Sequence, residues 1–175
     1  AYFIKVTAYD GAGQSNSAWS DGVYVDDSGP IDGMPVVSLG LPGQTDLSAF
    51  TASTTTFRMN WNGFQDNQTG IVRYDMGLGA GPAVANVSYF SRGTLGTSGA
   101  VVGLSLFHGQ RIFGLVRAVN SIGLTHTVAT VPVTVDLTPP VCAVLDGPVL
   151  GVDADFSSNF MAWIQWTARD VESGI

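Results

Sequence analysis

Residues 113–123 read FGLVRAVNSIG, and residues 3–13 read FIKVTAYDGAG. Both runs alternate apolar and other residues and then end in a glycine-containing turn, and they match at an offset of 110 residues. The same offset links Asp26 to Asp136 and Pro30 to Pro140. Recurrence at a constant spacing is the signature of repeated structural units.

A second block supports this repetition. Residues 61–71 read WNGFQDNQTGI, and residues 166–175 read WTARDVESGI, one residue shorter. We therefore expect the chain to be a segment of a longer tandem array of repeats. The predicted units are the last strands of one repeat at residues 1–29, a complete repeat at 30–140 and the first strands of a third at 141–175.

The composition favours strands and excludes some partners. Of the 175 residues 45% are hydrophobic and 12% are charged, whereas about 25% charged is usual in soluble domains. Abundant Gly, Val, Ser and Thr suit strands joined by tight turns rather than helices. The net charge of −7 excludes a nucleic acid held by phosphate neutralisation. No apolar run reaches the roughly 20 residues that a membrane-spanning helix needs.

The segment between the two prolines predicts seven strands and no helix. Phe57, Met59 and Trp61 alternate onto one face, which should point into the core. Seven short strands with frequent turns predict an all-β fold of tandem seven-stranded antiparallel β-sandwiches. The predicted strands are Met34–Leu39, Thr55–Trp61, Ile71–Leu78, Val84–Phe90, Ala100–Leu106, Arg111–Val119 and Val128–Val135. A long polar connection is expected at Gly40–Thr54.

The run from Leu106 through Gly109 and on to Gly123 resembles the sixth-strand region of fibronectin type III domains. Trp61 stands where that family keeps a core tryptophan in its second strand, and Tyr2 stands at its corner tyrosine. The complete unit departs from the family pattern, because Ile112 occupies the corner position and cannot supply the hydroxyl. A fibronectin type III-like or immunoglobulin-like sandwich is the fold that the resemblance implies.

The block at 61–71, with the linker Asp136-Leu137-Thr138-Pro139-Pro140, resembles the repeats of very large extracellular proteins. These include the filament subunits of algal flagellar hairs, the mastigonemes. The resemblance implies a structural segment of an extracellular filament or surface array, located outside the cell or on a flagellar surface. Its partners would be other copies, neighbouring filament proteins and glycans. The alternative is a spacer or binding ectodomain of a large cell-surface adhesion receptor.

Few residues suit catalysis, and the prediction is that the chain is not an enzyme. His108 and His126 lie near strand ends and are expected to be surface turn residues rather than bases. The glycine-rich run 77–81 leads to no helix that could hold a phosphate and predicts a flexible turn. No paired Cys or His pattern for zinc is present.

Carboxylates recur at both predicted linkers. In such a sandwich the turn after the second strand lies beside the incoming linker, so its acids should meet those of the linker. Oxygen ligands gathered at a domain junction suit calcium; alternatively, these Asp residues cap their own turns through backbone amides. The candidate calcium ligands are Asp26, Asp27, Asp66, Asp136, Asp170 and Glu172, and no other cofactor is expected.

Other residues predict covalent modification. Asn67 and Asn86 begin Asn-x-Thr/Ser sequons and are candidate N-glycosylation sites. Pro139 and Pro140 stiffen the second linker and, in an algal source, could be hydroxylated and carry sugar. Cys142 is the only cysteine, and it is interpreted either as a small buried thiol or as half of a disulfide to a cysteine elsewhere. With Lys5 the only lysine and a mean hydropathy of +0.25, lateral packing between chains is expected.

Overall fold

A computed structural model of the chain describes residues 1–37, 50–93, 95–146, 151–152 and 163–174. The protein is all-β, and no helix occurs in these ranges. The first strands are β1 (Lys5–Tyr9), β2 (Ser15–Trp19), β3 (Met34–Val37), β4 (Phe50–Thr51), β5 (Thr56–Asn62), β6 (Ile71–Gly79) and β7 (Ser88–Arg92). The others are β8 (Ser98–Val102), β9 (Arg111–Asn120), β10 (Thr125–Ala129), β11 (Val133–Val135), β12 (Val141–Asp146) and β13 (Ile164–Arg169).

Two sheets in the middle of the chain share one core. The smaller sheet has the order β3-β5-β8, and the larger has the order β4-β11-β9-β6-β7, with β10 also paired to β9. Neighbours within both sheets are antiparallel, except that β4 and β11 run parallel. The core residues come from both sheets and include Phe57, Met59, Trp61, Leu78, Ile112 and Val116.

The predicted inward face of β5 is confirmed. Phe57, Met59 and Trp61 are at most 4% exposed, while the intervening Arg58 is exposed. The Trp61 ring lies edge-on to Tyr74 of the opposite sheet, with centroids 5.6 Å apart. The alternation in the sequence therefore assigned the inward face of β5 correctly.

The last predicted strand, Val128–Val135, is divided into β10 and β11. At the break Gly114 donates its amide to the Thr130 hydroxyl at 3.0 Å, and Thr130 donates its own amide to the Gly114 carbonyl at 2.8 Å. Pro132 follows and has no N–H to donate. The interruption keeps Val133 and Val135 in the core.

Other strand boundaries differ from the prediction. The strand expected at Val84–Phe90 begins only at Ser88. The strand expected at Ala100–Leu106 ends at Val102, because the next residue, Gly103, takes a left-handed φ of 73°. The predicted connection Gly40–Thr54 contains the short strand β4, and its residues up to 49, with the predicted strand end at Leu39, lie outside the described residues.

The glycine run 77–81 is not a flexible turn. β6 continues to Gly79, and both Gly77 and Gly79 are buried. A Cβ at Gly79 would lie 2.3 Å from the Val84 carbonyl oxygen, and one at Gly77 would lie 2.9 Å from the Ala85 Cβ. These glycines let the following loop cross closely over the strand.

Each end of the chain forms a separate two-stranded sheet, β1 with β2 and β12 with β13. Large apolar side chains on both are open to solvent, among them Tyr2, Val6, Trp19, Ile164 and Trp166. The Tyr2 side chain is 70% exposed, so the predicted corner tyrosine is not packed in a core here.

Candidate functional site

Polar residues meet where a linker joins the turn that follows a strand, at two places in the chain. The first junction consists of Asp26, Ser28, Asp66, Thr69 and Asn120. The second junction consists of Asp136, Thr138, Asp170, Glu172 and Ser173. The linker and turn residues correspond at offsets of 110 and 104 residues.

Asp66 organises the turn after β5. Its Oδ1 accepts the backbone amides of Gln68 at 3.2 Å, Thr69 at 2.9 Å and Gly70 at 2.9 Å. Gly70 has a φ of 72°, a conformation that glycine adopts at no steric cost. The turn is thereby shaped by one carboxylate, as the capping alternative predicted.

Asp26 ties the linker to that turn. Its Oδ1 accepts the amide and the hydroxyl of Ser28, both at 3.0 Å. The Thr69 hydroxyl donates to Asp26 Oδ2 at 2.6 Å, a bond between residues 43 positions apart. Charge-assisted hydrogen bonds of this kind are short and among the stronger ones. Asp26 therefore fastens the segment around residues 26–28 to the turn after β5.

Asn120 at the end of β9 completes the first junction. It is 1% exposed, and its Nδ2 donates to Asp66 Oδ2 at 3.1 Å and to Asp26 Oδ2 at 3.3 Å. Its Oδ1 accepts the Leu124 amide at 2.8 Å, which determines the orientation of the side-chain amide. Donors from one asparagine thus join the two carboxylates.

The second junction repeats the scheme. Asp136 Oδ1 accepts the Thr138 amide at 2.9 Å and the Thr138 hydroxyl at 2.7 Å. Asp170 Oδ1 accepts the amides of Glu172 at 3.0 Å and Ser173 at 2.7 Å. The Ser173 side chain also helps to lower the pKa of Asp136.

The two junctions differ at one pair of equivalent positions. Gln68 in the first turn donates its Nε2 to the Ser28 hydroxyl at 3.0 Å. Glu172 in the second turn instead accepts from the Thr138 hydroxyl at 3.1 Å. The second junction therefore holds three carboxylates where the first holds two.

Hydrogen bonding favours the charged form of these acids. The Thr69 hydroxyl and then the Ser28 amide lower the pKa of Asp26. Burial acts to raise the pKa of Asp66, but the Thr69 amide, Asn120 and two further amides outweigh it, and the pKa is lowered. The Thr138 amide, followed by the Thr138 and Ser173 hydroxyls, lowers the pKa of Asp136. All three are carboxylates at neutral pH.

The structure brings together five of the six predicted calcium ligands. Carboxylate oxygens of Asp136, Asp170 and Glu172 lie within 4.8 Å of one another, so these are the residues that would hold an ion. At the first junction the Asn120 amide hydrogens already bond to both acids, Asp26 and Asp66. Asp27 is exposed, and no hydrogen bond to its carboxylate occurs within the described ranges. Calcium binding stays a prediction. The three carboxylates of the second junction suit calcium better than the two carboxylates of the first junction do.

The two histidines occupy different environments. His108 is an exposed turn residue whose Nδ1 accepts the Leu137 amide at 3.2 Å. The 3.7 Å separation between that nitrogen and Asp136 Oδ1 is too long for a hydrogen bond. His126 lies within β10, half-buried, 6.4 Å from the Phe64 ring, rather than in a turn.

The predicted modification sites lie at the surface. Asn67 and Asn86 are both exposed, and Asn86 Oδ1 accepts the Ala80 amide at 2.9 Å. Pro139 and Pro140 are exposed as well. Their glycosylation and hydroxylation stay predictions.

The cysteine is exposed rather than buried. Cys142 lies in β12 with a free thiol. The buried-thiol interpretation is therefore wrong in this structure, because the face of β12 that carries Cys142 has no described element packed over it. A disulfide to another chain segment stays a prediction.

A buried ion-pair group was not anticipated from the sequence. Asp75, 2% exposed, accepts from Arg73 Nε at 3.1 Å and from Arg117 Nη2 at 2.9 Å. Burial acts to raise the pKa of Asp75, but Arg117, the Gly93 amide and Arg73 together lower it. The only available signal was that Arg73 and Asp75 share one face of a strand in a chain poor in charge.

Comparisons with protein-family models, with curated proteins and with solved structures found no match for this chain. In the described part of the chain, no helix has the length and apolar character that crossing a membrane requires.

Proposed function

We propose that this chain is a structural segment of an extracellular filament or surface array, built from tandem β-sandwich units whose junctions are stiffened by hydrogen bonds. The observation that carries the proposal is the repeated junction. At both junctions a side-chain hydrogen bond joins the linker to the turn after a strand, Thr69 to Asp26 at 2.6 Å in the first and Thr138 to Glu172 at 3.1 Å in the second.

The finer fold within this proposal is a seven-stranded sandwich of the fibronectin type III or immunoglobulin-like type. Three strands form one sheet, β3-β5-β8, and β7, β6, β9 and the interrupted β10–β11 form the other. The assignment treats β10 and β11 as one strand and β4 as an addition. The buried Trp61 in β5, packed on Tyr74, supports it.

Stiff junctions suit a rod more than a flexible tether. The first linker packs against the complete unit, because Pro30 is buried and a Cβ on Gly29 would lie 3.2 Å from the Thr125 carbonyl oxygen. The second linker carries two consecutive prolines, which restrict its backbone further. Domains joined by a small interface usually move relative to one another. Hydrogen bonds that oppose this motion therefore favour a rod-like role over a flexible one.

Exposed apolar residues support lateral contacts in the array. Tyr89 on the edge strand β7 is 85% exposed, and Val102 on the edge strand β8 is 70% exposed. Edge strands that expose apolar side chains are prone to pair with other chains. Other copies or neighbouring filament proteins are the partners that we propose, with glycans on the uncovered surface.

Electron microscopy of the native material tests this function. We expect filaments or a sheet with a repeat of one or two domain lengths and with contacts between neighbouring chains. Separate chains that project from a membrane and do not touch would contradict the filament and favour the spacer of a cell-surface receptor.

A further inference from the structure

Three of the seven basic residues of this acidic chain lie together on the larger sheet. Asp75 of β6 is directly opposite Arg117 of β9 and Arg92 of β7, so the three side chains share one face. Arg73 is two residues before Asp75 on the same strand. That face is the outer one, since the neighbouring Tyr74 and Val116 pack into the core. We call Arg73, Arg92 and Arg117, grouped around Asp75, the arginine face.

The arginine face has an excess of positive charge. Three arginines and one aspartate give +3 − 1 = +2 in a chain of net charge −7. Asp75 already accepts three hydrogen bonds, since its Oδ1 accepts from Arg73 and Gly93 and its Oδ2 accepts from Arg117. Arg92 is exposed and makes no ion pair within the part of the chain that the structure describes.

Two of the guanidinium groups are held in place. The Arg117 guanidinium lies 4.1 Å from the Phe90 ring centroid and is bonded to Asp75. Arg73 binds Asp75 through Nε, which leaves its two terminal nitrogens as donors. The Arg73 and Arg117 side chains are 29% and 32% exposed. Groups that are already ordered lose less entropy when a partner binds.

The chain itself carries the complementary charge. The second junction places three carboxylates within 4.8 Å, with Glu172 exposed and Asp170 half-buried. The first junction is a weaker candidate, since it has two acids and both are bonded to Asn120. We propose that the arginine face of one copy docks on the second junction of another copy. This contact rests on the lateral assembly proposed above, in which the arginine face and the second junction would be the two surfaces that meet.

The test is self-association of the 175-residue chain, measured by analytical ultracentrifugation across a range of NaCl concentrations. An ionic contact weakens as salt screens it over about 10 Å at 0.1 M, whereas apolar association does not weaken in this way. We expect salt to weaken association and Arg92→Glu to weaken it about five- to tenfold at low salt. Arg92 is the variant of choice because its change leaves the Asp75 ion pairs intact.

Arg58→Glu is the matched control, since Arg58 is also exposed but lies on β5 of the smaller sheet. It should leave the association constant unchanged. Glu172→Arg should weaken association as Arg92→Glu does, and the double variant should recover much of the loss because the swapped charges again attract.

The outcomes separate the two proposals. Association that is insensitive to both Arg92→Glu and Glu172→Arg would overturn the named contact while leaving lateral assembly intact. A chain that stays monomeric at all salt concentrations would contradict both. If heparin, used as a sulfated-polysaccharide probe, bound in an Arg92-dependent way and no self-association depended on Arg92, the face would belong to an acidic polysaccharide, and the second-copy contact would be wrong.

Discussion

Two hairpins of this chain have the same local structure but opposite surroundings. β1–β2 pairs Tyr9 with Ser15, and β9–β10 pairs Val119 with Thr125, at the offset of 110 residues. Their turns make the same bonds: the side-chain oxygens of Asp10 and Asn120 each accept an amide four residues later at 2.8 Å. Glycine follows with a positive φ in both turns.

The burial of the two hairpins differs completely. Ile112 and Val116 of β9 are 0% exposed, whereas the equivalent Tyr2 and Val6 are 70% and 64% exposed. The strand β5 covers the first pair, while no described element of the chain covers the second. The pairing within each of these hairpins therefore depends on its local residues, whereas its burial depends on whether a second sheet covers it.

The largest expected effect is at the core tryptophan. Trp61→Ala should destabilise the central two-sheet core by about 3–5 kcal/mol, because it leaves a cavity between the two sheets. Trp166→Ala, at the repeat-equivalent position that is 71% exposed, should change stability by about 0.5 kcal/mol or less. Urea unfolding followed by circular dichroism measures both. Equal losses of unfolding free energy in the two variants would contradict the distinction between covered and uncovered strands.

A second pair of variants compares β9 with the strand region before β1. Ile112→Ala should cost about 2–5 kcal/mol, as expected for a fully buried aliphatic side chain. Tyr2→Ala should have little effect on the same unfolding transition, because that side chain is mostly in solvent. The comparison between the two regions holds if Ile112→Ala shifts the unfolding transition and Tyr2→Ala does not. A large effect of Tyr2→Ala would show that residues 1–25 pack into the central core.

The next effect depends on pH. The pKa of Asp75 is lowered in the folded state, so its contribution to stability is present above the ordinary carboxyl pKa near 3.8 and is lost as the pH falls through the lower folded value. Asp75→Asn should cost about 1–3 kcal/mol at pH 7 and progressively less below pH 3.8.

Unfolding of both proteins between pH 7 and pH 2.5 tests this sign. Asp10→Asn is a matched control on the exposed hairpin, where no sheet among the described residues covers the acid. A penalty for Asp75→Asn that stayed constant with pH would contradict the proposed role of the carboxylate charge.

The smallest effect on stability, and the most specific one on shape, is expected at the first junction. Thr69→Val removes the hydroxyl that donates to Asp26 and should widen the distribution of angles between hairpin β1–β2 and the central two-sheet core. Small-angle X-ray scattering of unglycosylated protein measures this change. Asn67→Gln is the control, since it also destroys the sequon but retains the Thr69 hydroxyl; an unchanged scattering profile for Thr69→Val would show that this bond does not stiffen the linker.

Parts of the fold and of the site were predictable because they depend on short-range pattern. Alternation placed Phe57, Met59 and Trp61 inward, and repetition paired the acids of each linker with those of a turn. The role of Asn120 was not predictable, since it reaches the junction from a strand 54 residues after Asp66. The ion pairs of Asp75 were also missed, because Arg117 meets it only through strand pairing 42 positions away.

The sequence by itself determined the all-β class and the inward face of β5, and it favoured Asp-capped turns as one of two alternatives, because alternation, turn glycines and carboxylate-to-amide bonds act over a few residues. Only the tertiary structure decided which of two equivalent hairpins is buried, that Gly77 and Gly79 lie beneath a crossing loop, and that three arginines surround one aspartate. Those outcomes depend on which strands become neighbours in space, and the energies that select the neighbours come from contacts between residues far apart in the chain.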